Sequence, residues 1–99
     1  MKTLDKKTII EKLKQYRKGS VYKVQIKELG LFGSYARDTN SAGSDIDIFI
    51  RLEPARMFDL ISIKEDLEKL LGKKVDIITL RKSMNSYLKN QIMQEGIYV

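Results

Sequence analysis

The chain has 99 residues, of which 32% are charged, and its 19 Lys and Arg outnumber 13 Asp and Glu to give a formal net charge of +6. That length suits one domain over residues 1–99 with a radius of gyration of about 13 Å, leaving little room for a separate substrate domain. With no Cys and no His, thiolate and imidazole catalysis, zinc sites and disulfides are excluded, and the chemistry falls to carboxylates, hydroxyls, Lys and Arg.

Residues 5 to 17 place Ile9, Ile10, Leu13 and Tyr16 on one helical stripe, with Asp5 as cap and Gly19 as stop. Val24 and Ile26 then alternate with Lys23, Gln25 and Lys27, and Leu29-Gly30-Leu31-Phe32 leads to Gly33, the pattern of a strand that becomes more buried toward its end. Residues 34 to 44 are short and polar, with room for a helical turn around Ser34 to Arg37. The strand Asp45-Ile46-Asp47-Ile48-Phe49-Ile50-Arg51-Leu52 follows. After Pro54, residues 56 to 71 carry Met57, Leu60, Ile61, Ile63, Leu67, Leu70 and Leu71 at helical spacing and close at Gly72. Lys74 to Leu80 reads as a third strand, and Ser83 as the cap of a last helix running through Met84, Tyr87, Leu88 and Ile92 to Gly96. The expected fold is α/β (α+β), a small mixed sheet flanked by helices in the order α-β-turn-β-α-β-α. No linker, internal repeat or low-complexity tract interrupts it.

The Asp strand holds the chemistry. Side chains alternate between faces of a strand, so Ile46, Ile48, Ile50 and Leu52 can fill a core while Asp45 and Asp47 project together from the other face. Their Cα atoms would lie about 7 Å apart, close enough for both carboxylates to converge on one hard cation or on two spaced roughly 3.5–4 Å. Ten residues earlier in the chain stands the pair Gly33-Ser34. A residue without a Cβ lets backbone N–H groups approach an anion, and the hydroxyl adds a donor, so the turn suits phosphate. A Gly-Ser pair alone marks an ordinary turn. What distinguishes this one is a strand end before it, Arg37 four positions after the Gly, and the paired Asp strand beyond.

Gly33-Ser34, ten intervening residues and Asp45-Ile46-Asp47 resemble the motif of the DNA polymerase beta nucleotidyltransferase superfamily, in particular its minimal (MNT-type) members. The flanks Leu31-Phe32-Gly33-Ser34-Tyr35-Ala36-Arg37 and Gly43-Ser44-Asp45-Ile46-Asp47 are similar to that group, and the resemblance extends over most of the chain. It implies two Mg²⁺ ions, ATP as the nucleotide donor, and transfer of AMP to a hydroxyl with release of pyrophosphate. Gly33 and Ser34 would hold the triphosphate, with Arg37 as a further phosphate contact. Asp45, Asp47 and the matching third carboxylate, Asp76, would be the metal ligands and catalytic residues, Asp76 also receiving the acceptor's proton. Asp76 lies between Val75 and Ile77 and points opposite to them, so a neighbouring strand can bring it beside Asp47. Mg²⁺ agrees with an all-oxygen donor set that keeps waters and substrate phosphates. One departure stands at Asp38, where the family commonly has Gly. Asp tolerates the left-handed region, but it sets a negative charge near the phosphates.

The resemblance reaches to the antitoxins of paired systems whose toxin is a HEPN-domain RNase, and implies a HEPN-domain toxin as partner and one of its tyrosines as acceptor. Two alternatives stay open: a weakly active or inactive module that neutralises its partner by occlusion, and a nucleotidyltransferase acting on RNA or a small molecule. The basic residues are dispersed with little aromatic interleaving, which argues against direct nucleic-acid binding. The apolar and aromatic end, Tyr87 to Val99, is expected to bury against another chain in a homo- or hetero-oligomer. The chain has no apolar run of membrane-spanning length, and its start lacks the apolar stretch of a signal peptide, so a cytoplasmic, membrane-free setting is expected.

Overall fold

Alternation along the strands divides the two sheet faces between two unequal cores, and that division leaves room for the site. The computed structural model describes residues 4–99. In chain order the elements are α1 (Lys6–Gly19), β1 (Ile26–Phe32), α2 (Gly33–Arg37), β2 (Ile46–Leu52), α3 (Met57–Leu71), β3 (Val75–Thr79), α4 (Ser86–Glu95) and β4 (Ile97–Tyr98). The sheet order is β3-β2-β1-β4. β2 runs parallel to β3, while β1 is antiparallel to both β2 and β4, which makes the sheet mixed as the sequence implies. The radius of gyration, 12.9 Å, is that of a well-packed chain of this length.

On the first face, Ile46, Ile48 and Ile50 of β2 are buried with Leu29 and Leu31 of β1 and Val75 of β3. Ile9 and Leu13 of α1, and Ile63, Leu67 and Leu71 of α3, cover them. The three-and-four spacing that makes those helices amphipathic is what aims these side chains at one sheet face. Gly72 ends α3 in the left-handed conformation at φ 71°, and Asp5 caps α1 by accepting from the Thr8 N–H.

Among the described residues, α4 is the helix that covers the second face. Phe32, Phe49 and Ile92 form its buried centre, with Ile78, Leu80, Met84 and Leu88 packed around them. The Phe49 ring meets Tyr98 edge-on with centroids 4.8 Å apart. Gly30 makes this possible, because a Cβ there would run into the Phe49 ring and the Ile97 carbonyl.

The observed order adds β4 and turns the expected polar turn into α2. Several local expectations are corrected. Val24 is 74% exposed and lies in a turn closed by the Gln25 and Ile26 amides on the Tyr22 carbonyl, so β1 starts at Ile26. Gly19 lies within α1, and Ser20 takes the C-cap position. The cap of α4 is Asn85 rather than Ser83: its side chain accepts from the Tyr87 and Leu88 amides at 2.8 and 3.2 Å. Tyr87 is 71% exposed, and Met57 and Ile61 also face solvent instead of the core. At the chain end Ile97 and Tyr98 pair with Leu31 and Gly30, and Ile97 packs on the first core, while Tyr87, Met93 and Tyr98 keep exposed surface.

The second core rests on few side chains, so it is sensitive to truncation. Ile92→Ala is expected to cost about 2–5 kcal/mol, read as a lower denaturant midpoint.

Candidate active site

Parallel pairing in register brings the acids together. Asp47 of β2 is the cross-strand partner of Asp76 of β3, which sets their Cα atoms roughly 4.8 Å apart with both side chains on the second face. Asp45 stands one residue before β2 and, like Asp76, is exposed, whereas Asp47 is half-buried. Burial holds the Asp47 carboxyl above the ordinary carboxylate range. The charges of Asp76 and then Asp45 push the same way, and Arg37 opposes them. Both other acids picked from the sequence therefore act through space on Asp47.

The Gly-Ser turn abuts this cluster. Gly33 has φ 74°, in the left-handed region, and a Cβ built on it would collide with the Asp47 carboxylate. Glycine is required there twice, by backbone and by contact. Ser34 follows in α2, partly exposed, and its carbonyl accepts from the Asp38 and Thr39 amides. The other side of α2 is anchored, since Tyr35 and Ala36 are buried in the first core.

Arg37 is exposed and pairs with Glu95 of α4 at 3.3 Å. Asp38 adopts φ 59°, the left-handed cap that the family glycine would supply, so the turn survives the substitution. Its carboxylate is turned to Lys6 of α1 at 2.8 Å, which offsets the negative charge that made this position a concern. Between α2 and β2 the loop is tied by Ser41 and Ser44 to each other and by Lys73, whose Nζ donates to the Ala42 carbonyl at 2.8 Å. The Ile46 amide donates to the Lys74 carbonyl, fixing where Asp45 leaves the loop. Lys6, Lys73 and Glu95 had no mark in the sequence. Each lies 31 or more residues from the residue it holds, Asp38, Ala42 and Arg37 respectively, and tertiary packing brings it near.

The donor chemistry fits a hard divalent cation and a phosphate chain. Every side-chain donor in the acid cluster is a carboxylate oxygen, and the cluster raises its own electrostatic energy in a way a cation relieves. As their side chains stand, the described residues form no set of three or more acids close enough to cage a metal alone. A Mg²⁺ site does not need one, because it is completed by waters and substrate phosphates. Beside it stands the Gly33 turn, with Gly33 buried against the Asp47 carboxylate and Ser34 partly exposed, and turns of this kind can present backbone N–H groups to a phosphate chain.

Comparison with known proteins agrees with this geometry. The nucleotidyltransferase domain family matches residues 6–99. The chain belongs to that family. A Methanocaldococcus jannaschii relative named "Putative protein adenylyltransferase" is 41% identical over 100 residues, covering 100% of both chains. A solved structure described as a "putative minimal nucleotidyltransferase" superposes with a TM-score of 0.80 at 26% identity, over 98% of each chain. A toxin–antitoxin crystal structure with AMP-PNP matches with a TM-score of 0.69 at 25% identity, over 96% of this chain and 72% of that one. The enzyme class expected from the motif, nucleotidyltransferase, stands with the family, and so does the mixed sheet flanked by helices.

Two outcomes follow from the crowding. Because the Asp47 pKa is raised on folding, its charged form destabilises the fold above the ordinary carboxylate pKa, and stability falls as pH rises from there through the folded value. Asp47→Asn should thus raise Tm at pH 7 in EDTA, and the gain should vanish near pH 3; an equal gain at both pH values would contradict it. Gly33→Ala should cost at least about 1–2 kcal/mol from its backbone region alone, measured by urea unfolding, before the displaced Asp47 carboxylate is counted.

Proposed function

We propose that residues 1–99 act as one cytoplasmic nucleotidyltransferase domain that transfers AMP from ATP to a tyrosine hydroxyl of a HEPN-type toxin, and so serve as its antitoxin. The observation that carries the enzymatic part is the Asp47–Asp76 register with Gly33 set against it. The partner reading is supported by the relative named as a protein adenylyltransferase and by the toxin–antitoxin structure with AMP-PNP.

In this reading the Gly33 and Ser34 N–H groups and the Ser34 hydroxyl donate to the β- and γ-phosphates. Arg37 reaches a phosphate by leaving Glu95. Exposed pairs of that kind are worth about 1 kcal/mol or less, so a dianionic phosphate displaces one readily. Asp45, Asp47 and Asp76 would hold the two Mg²⁺ ions, which would supply charge neutralisation at the phosphates and a more acidic acceptor hydroxyl. The tyrosine oxygen forms a bond to the α-phosphorus as the bond to the bridging oxygen breaks. Pyrophosphate leaves with that electron pair, and Asp76 takes the hydroxyl proton. The protein's part is positioning and charge placement, which is most of what phosphoryl transfer needs.

The test is label transfer from α-labelled ATP to a co-purified HEPN-type partner in Mg²⁺. Transfer should reach a tyrosine of the partner and fall on the order of 100-fold in Asp45→Asn or Asp47→Asn. If these variants lose labelling yet still neutralise the partner, occlusion is the function and adenylylation is not. Label on RNA without a partner protein would refute the protein acceptor.

A further inference from the structure

Beneath α4, at the end of the second face remote from the acids, lies a cavity of about 370 Å³ that the reaction does not use. Asp47 and Arg51 flank Phe49 on the same face of β2, and four steps along the strand separate them by about 13 Å. Ile92 of α4 packs with Phe49 between the two places. The cavity is therefore walled off from the Gly33 turn.

Its composition is polarised. Leu80, Ile92 and Met93 supply an apolar lining, and the Tyr98 ring, held edge-on by Phe49 and 44% exposed, supplies an aromatic one. Arg81, Lys82 and Lys89 converge from the loop after β3 and from α4, and among the described residues none of their side chains has an ion-pair or hydrogen-bond partner. On the opposite wall Glu28 receives the Arg51 Nε at 2.9 Å, and Arg51 also bridges to Glu53. Glu53 lies outside the lining, so three free cations share the cavity with the Glu28–Arg51 pair and an apolar and aromatic surface.

From this arrangement we propose that the cavity is a second binding site, for a nucleoside mono- or diphosphate. The phosphate lies among Arg81, Lys82 and Lys89, which offer charge and multiple donors. The base lies against Tyr98 and Met93, where a flat ring gains stacking and sulfur contacts. Glu28 accepts from an exocyclic amine or a ribose hydroxyl. The volume lies within the span of small-molecule sites. An acidic peptide fits less well, because its carboxylates use the cations but leave the Tyr98 and Met93 surface without a flat ring to stack on it.

The experiment is titration of the full chain with ADP in EDTA, followed by backbone NMR and calorimetry, so that no divalent cation supports binding at the acids. Saturable binding is expected, with amide shifts at Leu80 to Lys82, Lys89 to Met93 and Tyr98. The double variant Lys82→Glu/Lys89→Glu should weaken it about tenfold or more, while Asp47→Asn leaves it unchanged. Met93→Trp, which fills the cavity from an exposed position, should abolish binding with an unchanged thermal melt. The proposal is overturned by shifts confined to Gly33–Arg37, by unaltered affinity in the double variant, or by inorganic phosphate binding as tightly as ADP. Displacement of ADP by an equimolar poly-glutamate peptide would overturn it too.

Discussion

Two like charges on adjacent parallel strands are the constraint around which the rest of the site is arranged. The parallel β2–β3 pairing puts Asp47 directly beside Asp76, with Asp45 near enough to be felt. Such an arrangement opposes folding, and it persists because the same strands bury Ile46, Ile48, Ile50 and Val75 on their other face. One residue of slip in either strand would exchange the acids for isoleucines. The apolar face thus fixes the position of the charged one, and the electrostatic cost is carried by the core.

The support around the acids is asymmetric. The Gly33 turn touches Asp47 with no side chain between them, so the distance between the backbone of the turn and the carboxylate is set by contact. Arg37 and Asp38, next in the chain, are held by charges from α4 and α1. Both of those pairs are exposed, and each is worth little by itself. They act mainly on direction: Lys6 draws the Asp38 carboxylate aside, and Glu95 parks the Arg37 guanidinium at the rim.

Much of this was readable from residue order. The alternation of Ile46 to Leu52, the helical stripes of α1 and α3, and Gly72 as a stop all depend on local periodicity and backbone preference, which a sequence displays directly. Asp45, Asp47, Asp76, Gly33 and Ser34 could be singled out because acids oppose strand preference and glycine permits a close approach. The unread features depend on tertiary context. β4 is two residues long, too short for any period, and exists because Gly30 leaves space beside β1. Asn85 and Ser83 are equally good caps by type, and the path of the chain after β3 selects between them. Val24 alternates like a strand residue yet sits in a turn, because the Tyr22 carbonyl takes the Gln25 and Ile26 amides.

The burial of α2 has a thermodynamic consequence. Tyr35 and Ala36 lie in the same apolar cluster as Ile9, Leu13, Ile48 and Leu67, so the five-residue helix that follows β1 belongs to the central cooperative unit of the chain and not to a loop that opens by itself. Ordering of Gly33 and Ser34 is then accomplished during folding, together with the core that holds them. Loosening of α1 or α3 far from the acids would reach the Gly33 turn through shared burial, making the conformation of that turn a reporter of how intact the first core is.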